Sequence, residues 1–284
     1  MNKRIFSGPF LVFMLCGTII PLGVIAFYGM TDRSGTFTLD NITAIATGEH
    51  WQALMLALGL ALISTIICLV IAFPLGLILK DSRLGKKGFM VFIFILPMWM
   101  NFLLRTYAWM SILENTGLLN RFFDAIGLFD LINGLFGTEI EYFKMINTQG
   151  AVVLGMVYNY LPFMILPIYS VIVKLDYSLL EAARDLGANN VTVFRKVILP
   201  LSLPGVLSGI TMVFVPSVST FAISRMLGGG TELLLGDLIE RQFLGGAYNP
   251  QLGAAISLVM MIIVLVCMLV MNRFGEGEEQ AVML

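Results

Sequence analysis

The stretch LLEAARDLGANNVTVFRKVILPLSLPGV, from Leu179 to Val206, places a charged and helix-prone segment between two hydrophobic runs. Its charged residues are Glu181, Arg184, Asp185, Arg195 and Lys196. The runs on either side, residues 151–173 and 203–224, are each long and apolar enough to lie in lipid. The interpretation of the chain depends on why a membrane protein carries such an insert.

Composition indicates a membrane protein. Of the 284 residues, 58% are hydrophobic and 12% are charged, whereas soluble domains average about 25% charged residues. The net charge of -1 argues against a nucleic-acid partner, which requires a basic surface. Cys16, Cys68 and Cys267 lie in apolar runs without metal or disulfide spacing, and a single histidine, His50, allows no histidine-based catalytic cluster.

Six runs are long enough to cross a bilayer, which takes about 20 apolar residues. They are approximately residues 9–30, 53–79, 89–113, 151–173, 203–224 and 252–271. We therefore predict an all-α membrane protein with six transmembrane helices in a single domain over residues 1–284. The first run is longer than the hydrophobic region of a signal peptide and lacks an A-x-A site, so we expect it to remain as a span.

The distribution of basic residues predicts the orientation. If the N-terminus is cytoplasmic, eleven of the 17 Lys and Arg residues lie inside, five lie outside and Arg105 lies within a span. The loop KDSRLGKK, residues 80–87, gives the strongest local signal. By the positive-inside rule, both termini and the insert at residues 174–200 are predicted to face the cytoplasm.

The insert is predicted to form two short helices joined by a turn. Ser178 followed by Glu181 matches a capping box, and Gly187 stands where a glycine ends a helix. Asn189 or Asn190 would begin the second helix, which Pro200 and Pro204 would end. The alternative is a plain connecting loop, but about 25 residues would be long for one.

The spacing inside this insert is similar to the signature loop of permease subunits in ABC importers. That loop reads Glu-Ala-Ala, three residues, Gly, nine residues and Ile-x-Leu-Pro. The matching residues here are Glu181, Ala182, Ala183, Gly187, Leu199 and Pro200, while Val197 stands where the family prefers Ile. The resemblance implies a type I ABC importer permease fold in which the insert, including Arg184 and Asp185, is a coupling helix that docks on a separate ATPase. For Glu181, local capping remains an alternative to docking.

Three stretches resemble the B-type permeases of spermidine/putrescine importers. They are ILPMWMNFLLRTYAW (residues 95–109), YLPFMILPIYSVIVKLDYSLLEAARDLGA (160–188) and LLLGDLIERQFL (233–244). The resemblance implies a bacterial inner-membrane protein that forms a heterodimer with a C-type permease. It also implies two copies of the ATPase and an extracytoplasmic polyamine-binding protein. ATP and Mg would be bound by the ATPase and no cofactor by this chain, which has no G-x-x-x-x-G-K-[ST] phosphate loop.

Acidic and aromatic residues are the candidates for the substrate pathway. The predicted outer face carries eleven acidic and five basic residues, which would attract a polycation, although a solvated acidic surface is the alternative. The candidates are Asp237 and Glu240, three apart on one predicted helix, Glu114, and the aromatic residues Trp99, Tyr107 and Tyr158. Arg105 would repel a polyamine, so we predict that it forms a structural pair with Asn101.

Three other functions remain to be weighed. A secondary transporter coupled to a cation would be expected to carry an Asp or Glu within a span, and none of the six runs contains one. A membrane scaffold would have no need of the insert at 174–200. An ABC importer for another small solute, such as phosphate, thiamine or iron, would share the insert and stays open.

Overall fold

The computed structural model describes residues 3–46, 48–81, 93–230, 233–246 and 248–282. Within these ranges the chain is helical, and extended pairing is limited to an isolated bridge between Thr31 and Phe37. The helices are α1 (Lys3–Met14 and Ile20–Gly29, joined by a π-helical turn at Leu15–Ile19), α2 (Asp40–Ile45), α3 (Gly48–Asp81), α4 (Phe102–Leu113), α5 (Leu118–Ala125), α6 (Leu128–Phe136), α7 (Gln149–Ile172), α8 (Tyr177–Asp185), α9 (Asn190–Ser219, with a π-helical turn at Phe194–Ile198), α10 (Ala222–Leu227), α11 (Leu235–Leu244) and α12 (Pro250–Val282).

Five helices in the described ranges are long and apolar enough to cross a membrane. They are Gly8–Gly29, Gly48–Lys80, Gln149–Ile172, Asn190–Ser219 and Pro250–Met271. Each overlaps one of the six predicted runs, so the prediction of a predominantly helical membrane protein is confirmed. The run at 89–113 has no single long helix among the described residues.

The third predicted run is interrupted near its centre. A 3-10 turn occupies Leu96–Trp99, Met100 is extended, and a new helix, α4, begins at Phe102. Pro97 lies in the 3-10 turn, and Asn101 caps α4 because its Oδ1 accepts hydrogen bonds from the backbone amides of Leu103 (2.9 Å) and Leu104 (3.3 Å). Hydrophobicity alone predicts one continuous span here, because the residues on both sides of the break are apolar.

Helices α7 and α9 form the central packing of the region from residue 57 to residue 230. Gly205 and Gly209, four residues apart on α9, let it approach α7 closely. A Cβ atom at Gly205 would lie 2.7 Å from the carbonyl oxygen of Pro167, and one at Gly209 would lie 2.6 Å from the sulfur of Met164. Small residues at this spacing allow membrane helices to pack by van der Waals contact. Ile165, Ile168 and Ile172 are buried beside them.

The chain divides into two compact units, residues 1–56 with 233–266 and residues 57–232 with 267–284. Within the first, α1 and α12 are in close contact, since a Cβ at Gly29 would lie 3.1 Å from the backbone nitrogen of Ala255. The prediction of one domain over residues 1–284 stays a prediction.

Some residues used in the predictions lie outside the described ranges. They are the basic residues of the 82–87 loop, the start of the third predicted run at 89–92 and the outer acid Glu232.

Candidate coupling elbow and membrane pathway

The elbow, residues 174–200, begins with a capped helix. The carboxylate of Asp176 accepts a hydrogen bond from the backbone amide of Ser178 at 3.0 Å and so caps α8. The prediction that Ser178 is the cap was wrong, because the helix begins at Tyr177 and Ser178 is already inside its first turn. The hydrogen bonds from Ser178, and then the charge of Lys80, hold the pKa of Asp176 below its ordinary value.

Gly187 ends the first helix of the elbow, as predicted. Its φ is +83°, a left-handed conformation that costs glycine little and other residues more. The amide of Gly187 donates to the carbonyl oxygen of Arg184 at 2.8 Å, and the amide of Ala188 donates to that of Ala183 at 3.1 Å. These two bonds form a Schellman motif, which fixes the direction in which the chain leaves α8.

The second helix of the elbow begins at Asn190, with Asn189 as its cap. Oδ1 of Asn189 accepts from the backbone amide of Thr192 at 2.8 Å. The prediction that Pro200 and Pro204 end this helix was wrong, because α9 continues to Ser219. The π-helical turn at Phe194–Ile198 widens the helix immediately before Pro200. A wider turn accommodates a proline ring that would otherwise clash with the preceding turn.

The elbow is fastened to the neighbouring spans. Nζ of Lys80, in the last turn of α3, donates to the carbonyl oxygen of Leu175 at 3.0 Å. The ring of Phe194 packs edge-on against Phe73 of α3, with 5.4 Å between their centroids. Leu180 of α8 and Val193 in the first turn of α9 are buried. A displacement of the elbow must therefore be transmitted to α3 and α9.

The outer surface of the elbow offers both charge and apolar area. Glu181, Ala182, Arg184, Asp185 and Gly187 are exposed, Ala183 is half-buried, and Leu199 and Pro200 lie at the membrane end. Leu186 is 89% exposed, and Val191 is also exposed. Exposed apolar side chains bordered by charges are typical of a surface that binds another protein.

The aromatic pathway candidates lie on three different elements. Trp99 is 76% exposed just before the break in the third run, and Tyr107 is exposed on α4. Tyr158 on α7 is half-buried and packs edge-on against Trp109 of α4, with 5.3 Å between ring centroids. This last contact joins α4 to α7.

The acidic pathway candidates occupy different settings. Asp237 and Glu240 lie on α11, in the first compact unit. Asp237 is buried, and its Oδ2 accepts from the backbone amide of Leu234 at 3.1 Å, so it stabilises the start of the helix. Glu240 is half-buried on the same helix, and Glu114 is exposed at the end of α4. Their part in a pathway stays a prediction.

Arg105 is not paired with Asn101, contrary to the prediction, because the side chain of Asn101 is engaged in capping α4. Arg105 is only 8% exposed, and among the described residues its Nε and Nη1 have no hydrogen-bond partner. Two of the three guanidinium nitrogens are therefore buried without the hydrogen bonds that usually offset the cost of such a charge.

Sequence reasoning missed a set of buried polar residues near the break between α9 and α10. They are Asn159, Ser217, Thr220 and Ser224. Asn159 is 1% exposed; its Nδ2 donates to the carbonyl oxygen of Gly155 at 2.9 Å, while its Oδ1 has no partner in the described part of the chain. The signal available in the sequence was the amide side chain of Asn159 within the apolar run at residues 151–173. Helix α10 packs against both α4 and α7.

The helical fold and the anchored elbow define a permease subunit of a type I ABC importer. The chain belongs to the family described as binding-protein-dependent transport system inner membrane component, whose model matches residues 69–280. It is 38% identical over 237 residues to the spermidine/putrescine transport system permease protein PotB of Escherichia coli (strain K12), covering 84% of this chain and 82% of that protein.

Two further comparisons agree with this assignment. The PotB protein of Haemophilus influenzae is 36% identical over 239 residues, covering 84% of this chain and 80% of that protein. The structure of a bacterial alginate ABC transporter, in complex with an alginate pentasaccharide-bound periplasmic protein, superimposes with a TM-score of 0.77. It covers 96% of this chain and 93% of the other at 15% identity, which supports the fold alone. The predicted resemblance to ABC importer permeases is thus confirmed.

Proposed function

We propose that this chain is one of two permease subunits of an ATP-driven importer of spermidine and putrescine. The observation that carries the proposal is the 38% identity to a protein named for that transport, over 84% of the chain. In the proposed assembly a second permease completes the pathway, and an extracytoplasmic binding protein delivers the polyamine. Both termini and the elbow face the cytoplasm, as the basic residues predict.

In this function the elbow receives the motion of a separate ATPase. Two ATPase copies bind ATP and Mg, and this chain performs no catalysis. The exposed face around Leu186 and Arg184 docks on the ATPase. Because Lys80 and Phe73 hold the elbow against α3, closure of the ATPase dimer moves the spans rather than bending a loop.

A second candidate is the import of a small anionic solute. It is favoured by one observation, the buried Arg105 in the first turn of α4, since helix N-termini and arginine both attract anions. The identity to proteins named for polyamine transport outweighs it.

Transport by the purified complex tests the proposal. The complex of this chain with its partner permease and ATPase is reconstituted in proteoliposomes with the binding protein and given ATP. We expect uptake of radiolabelled spermidine and putrescine, competed by either polyamine and not by phosphate. Polyamine uptake at the level of empty liposomes, with ATP hydrolysis intact, would contradict the substrate class while leaving the importer class in place.

A further inference from the structure

Arg105 combines three features that oppose a buried positive charge. It is 8% exposed, and in the described ranges its Nε and Nη1 have no hydrogen-bond partner. It also lies in the first turn of α4, where the helix dipole carries a partial positive charge. Ionisable groups persist inside membrane proteins mainly where they serve a function. The cost of this side chain therefore requires an explanation other than packing.

The backbone immediately before the helix of Arg105 is not α-helical. The chain breaks at Met100–Asn101, the centre of the run predicted to span from 89 to 113, and both Trp99 and Met100 are exposed there. Non-helical backbone at membrane depth is tolerated only against protein or beside a water-filled cavity. Helix α7, which packs against α4, carries the unsatisfied Oδ1 of Asn159. A buried ionisable side chain beside such a break is typical of a substrate or ion pathway.

We propose that Arg105 is a selectivity residue whose uncompensated charge keeps protons and inorganic cations out of the pathway while the importer is at rest. The inference rests on the proposed function, in which the pathway must open to a polycation without leaking monovalent ions. In a low-dielectric interior, a fixed positive charge repels every cation that approaches it. A polyamine passes only after the driven conformational change moves Arg105 or gives it an acceptor, and Oδ1 of Asn159 is an unsatisfied acceptor on the neighbouring helix.

The test measures leakage without nucleotide or substrate. Proteoliposomes containing the assembled complex are loaded with K⁺ and with a pH-sensitive dye, and K⁺ efflux and proton entry are recorded. The variants are Arg105→Met, which removes the charge at similar volume, and Arg105→Lys, which keeps it. Arg121→Met removes an exposed charge on α5 and serves as the control. An apolar replacement of a buried charge is commonly tolerated, so we expect Arg105→Met to assemble, as judged by its ATPase activity.

We expect Arg105→Met to raise both leak rates by about tenfold or more, while Arg105→Lys and Arg121→Met stay at the wild-type rate. Leak rates of Arg105→Met equal to wild type would overturn the proposal. Equal leaks in Arg105→Met and Arg105→Lys would also overturn it, since the shape of the side chain would then matter rather than its charge. The measurement uses no polyamine, so its failure is distinguishable from a failure of spermidine uptake by the wild-type complex.

Discussion

Nζ of Lys80 donates a hydrogen bond of 3.0 Å to the carbonyl oxygen of Leu175, joining the end of α3 to the start of the elbow. The same ammonium group lies 6.0 Å from the centroid of the Tyr177 ring and helps to lower the pKa of Asp176. One side chain thus donates to the backbone, lies over the ring of the first residue of α8 and acts electrostatically on the cap of that helix. It links the end of α3 to the surface that we propose to dock on the ATPase.

Replacing Lys80 by Met should loosen this link without unfolding the protein. We expect fewer polyamine molecules imported per ATP hydrolysed, and faster hydrogen exchange in α8, because the carbonyl of Leu175 loses its donor. Lys174→Met is the matched control, since Lys174 is exposed and its side chain makes no hydrogen bond in the described structure. Equal loss of coupling in both variants would show that general charge, not this bond, is responsible.

Replacing Gly187 by Val should weaken coupling more strongly. The left-handed φ of +83° costs a β-branched residue about 1–2 kcal/mol, so the turn between α8 and α9 would change direction. We expect normal membrane insertion, with ATP hydrolysis that no longer depends on the loaded binding protein. Gly134→Ala on α6, where a Cβ would meet open space, is the control. Wild-type coupled uptake in Gly187→Val would exclude the elbow as the transmitting element.

Enlarging Gly205 should separate α7 from α9. A Cβ there would lie 2.7 Å from the carbonyl oxygen of Pro167, and overpacking of this kind costs about 1–3 kcal/mol. We expect Gly205→Ala to lower the melting temperature of the purified complex. Gly59→Ala on α3 has space for the added methyl group and should leave it unchanged or slightly higher. Two equal melting temperatures would contradict the close packing.

Substitution of Asp237 should affect the stability of the protein, whereas substitution of Glu240 should affect polyamine transport. Asp237→Ala leaves the buried amide of Leu234 without this acceptor, which costs about 1–3 kcal/mol, whereas Asp237→Asn keeps an oxygen in place. We expect a lower melting temperature for Asp237→Ala alone. Glu240→Gln should weaken polyamine uptake with little change in stability, and Asp124→Asn, an exposed position on α5, should change neither. Unchanged uptake kinetics in Glu240→Gln would remove Glu240 from the pathway.

Low pH should destabilise the first turn of α8. Because the pKa of Asp176 is lowered in the folded state, its contribution to helix stability is present above the ordinary aspartate value of about 3.9 and is lost as pH falls toward the lower folded value. We expect exchange of the Ser178 amide, corrected for the intrinsic rate, to accelerate over that range. In Asp176→Asn the acceleration should be absent. A persistent pH response in that variant would assign the effect to another group.

The elbow was predictable because its signals are local. Gly187 and Asn189 act within four residues of themselves, so the end of α8 and the start of α9 follow from chain-local geometry. The cap at Asp176 was missed because Ser178 with Glu181 fits the same rule two positions later. The continuation through Pro200 was missed because the π-helical turn that accommodates it leaves no mark in residue type.

By itself, the sequence determined the helical membrane class, the place of the elbow and the family, since all three depend on hydrophobic runs and on residue spacing along the chain. Tertiary structure decided that the third run breaks at Asn101, that Lys80 holds the elbow, and that Nε and Nη1 of Arg105 are buried without a hydrogen-bond partner in the described residues. These features depend on which groups meet across helices. These contacts depend on distances of a few ångströms between packed helices. The order of residues along the chain does not state those distances directly.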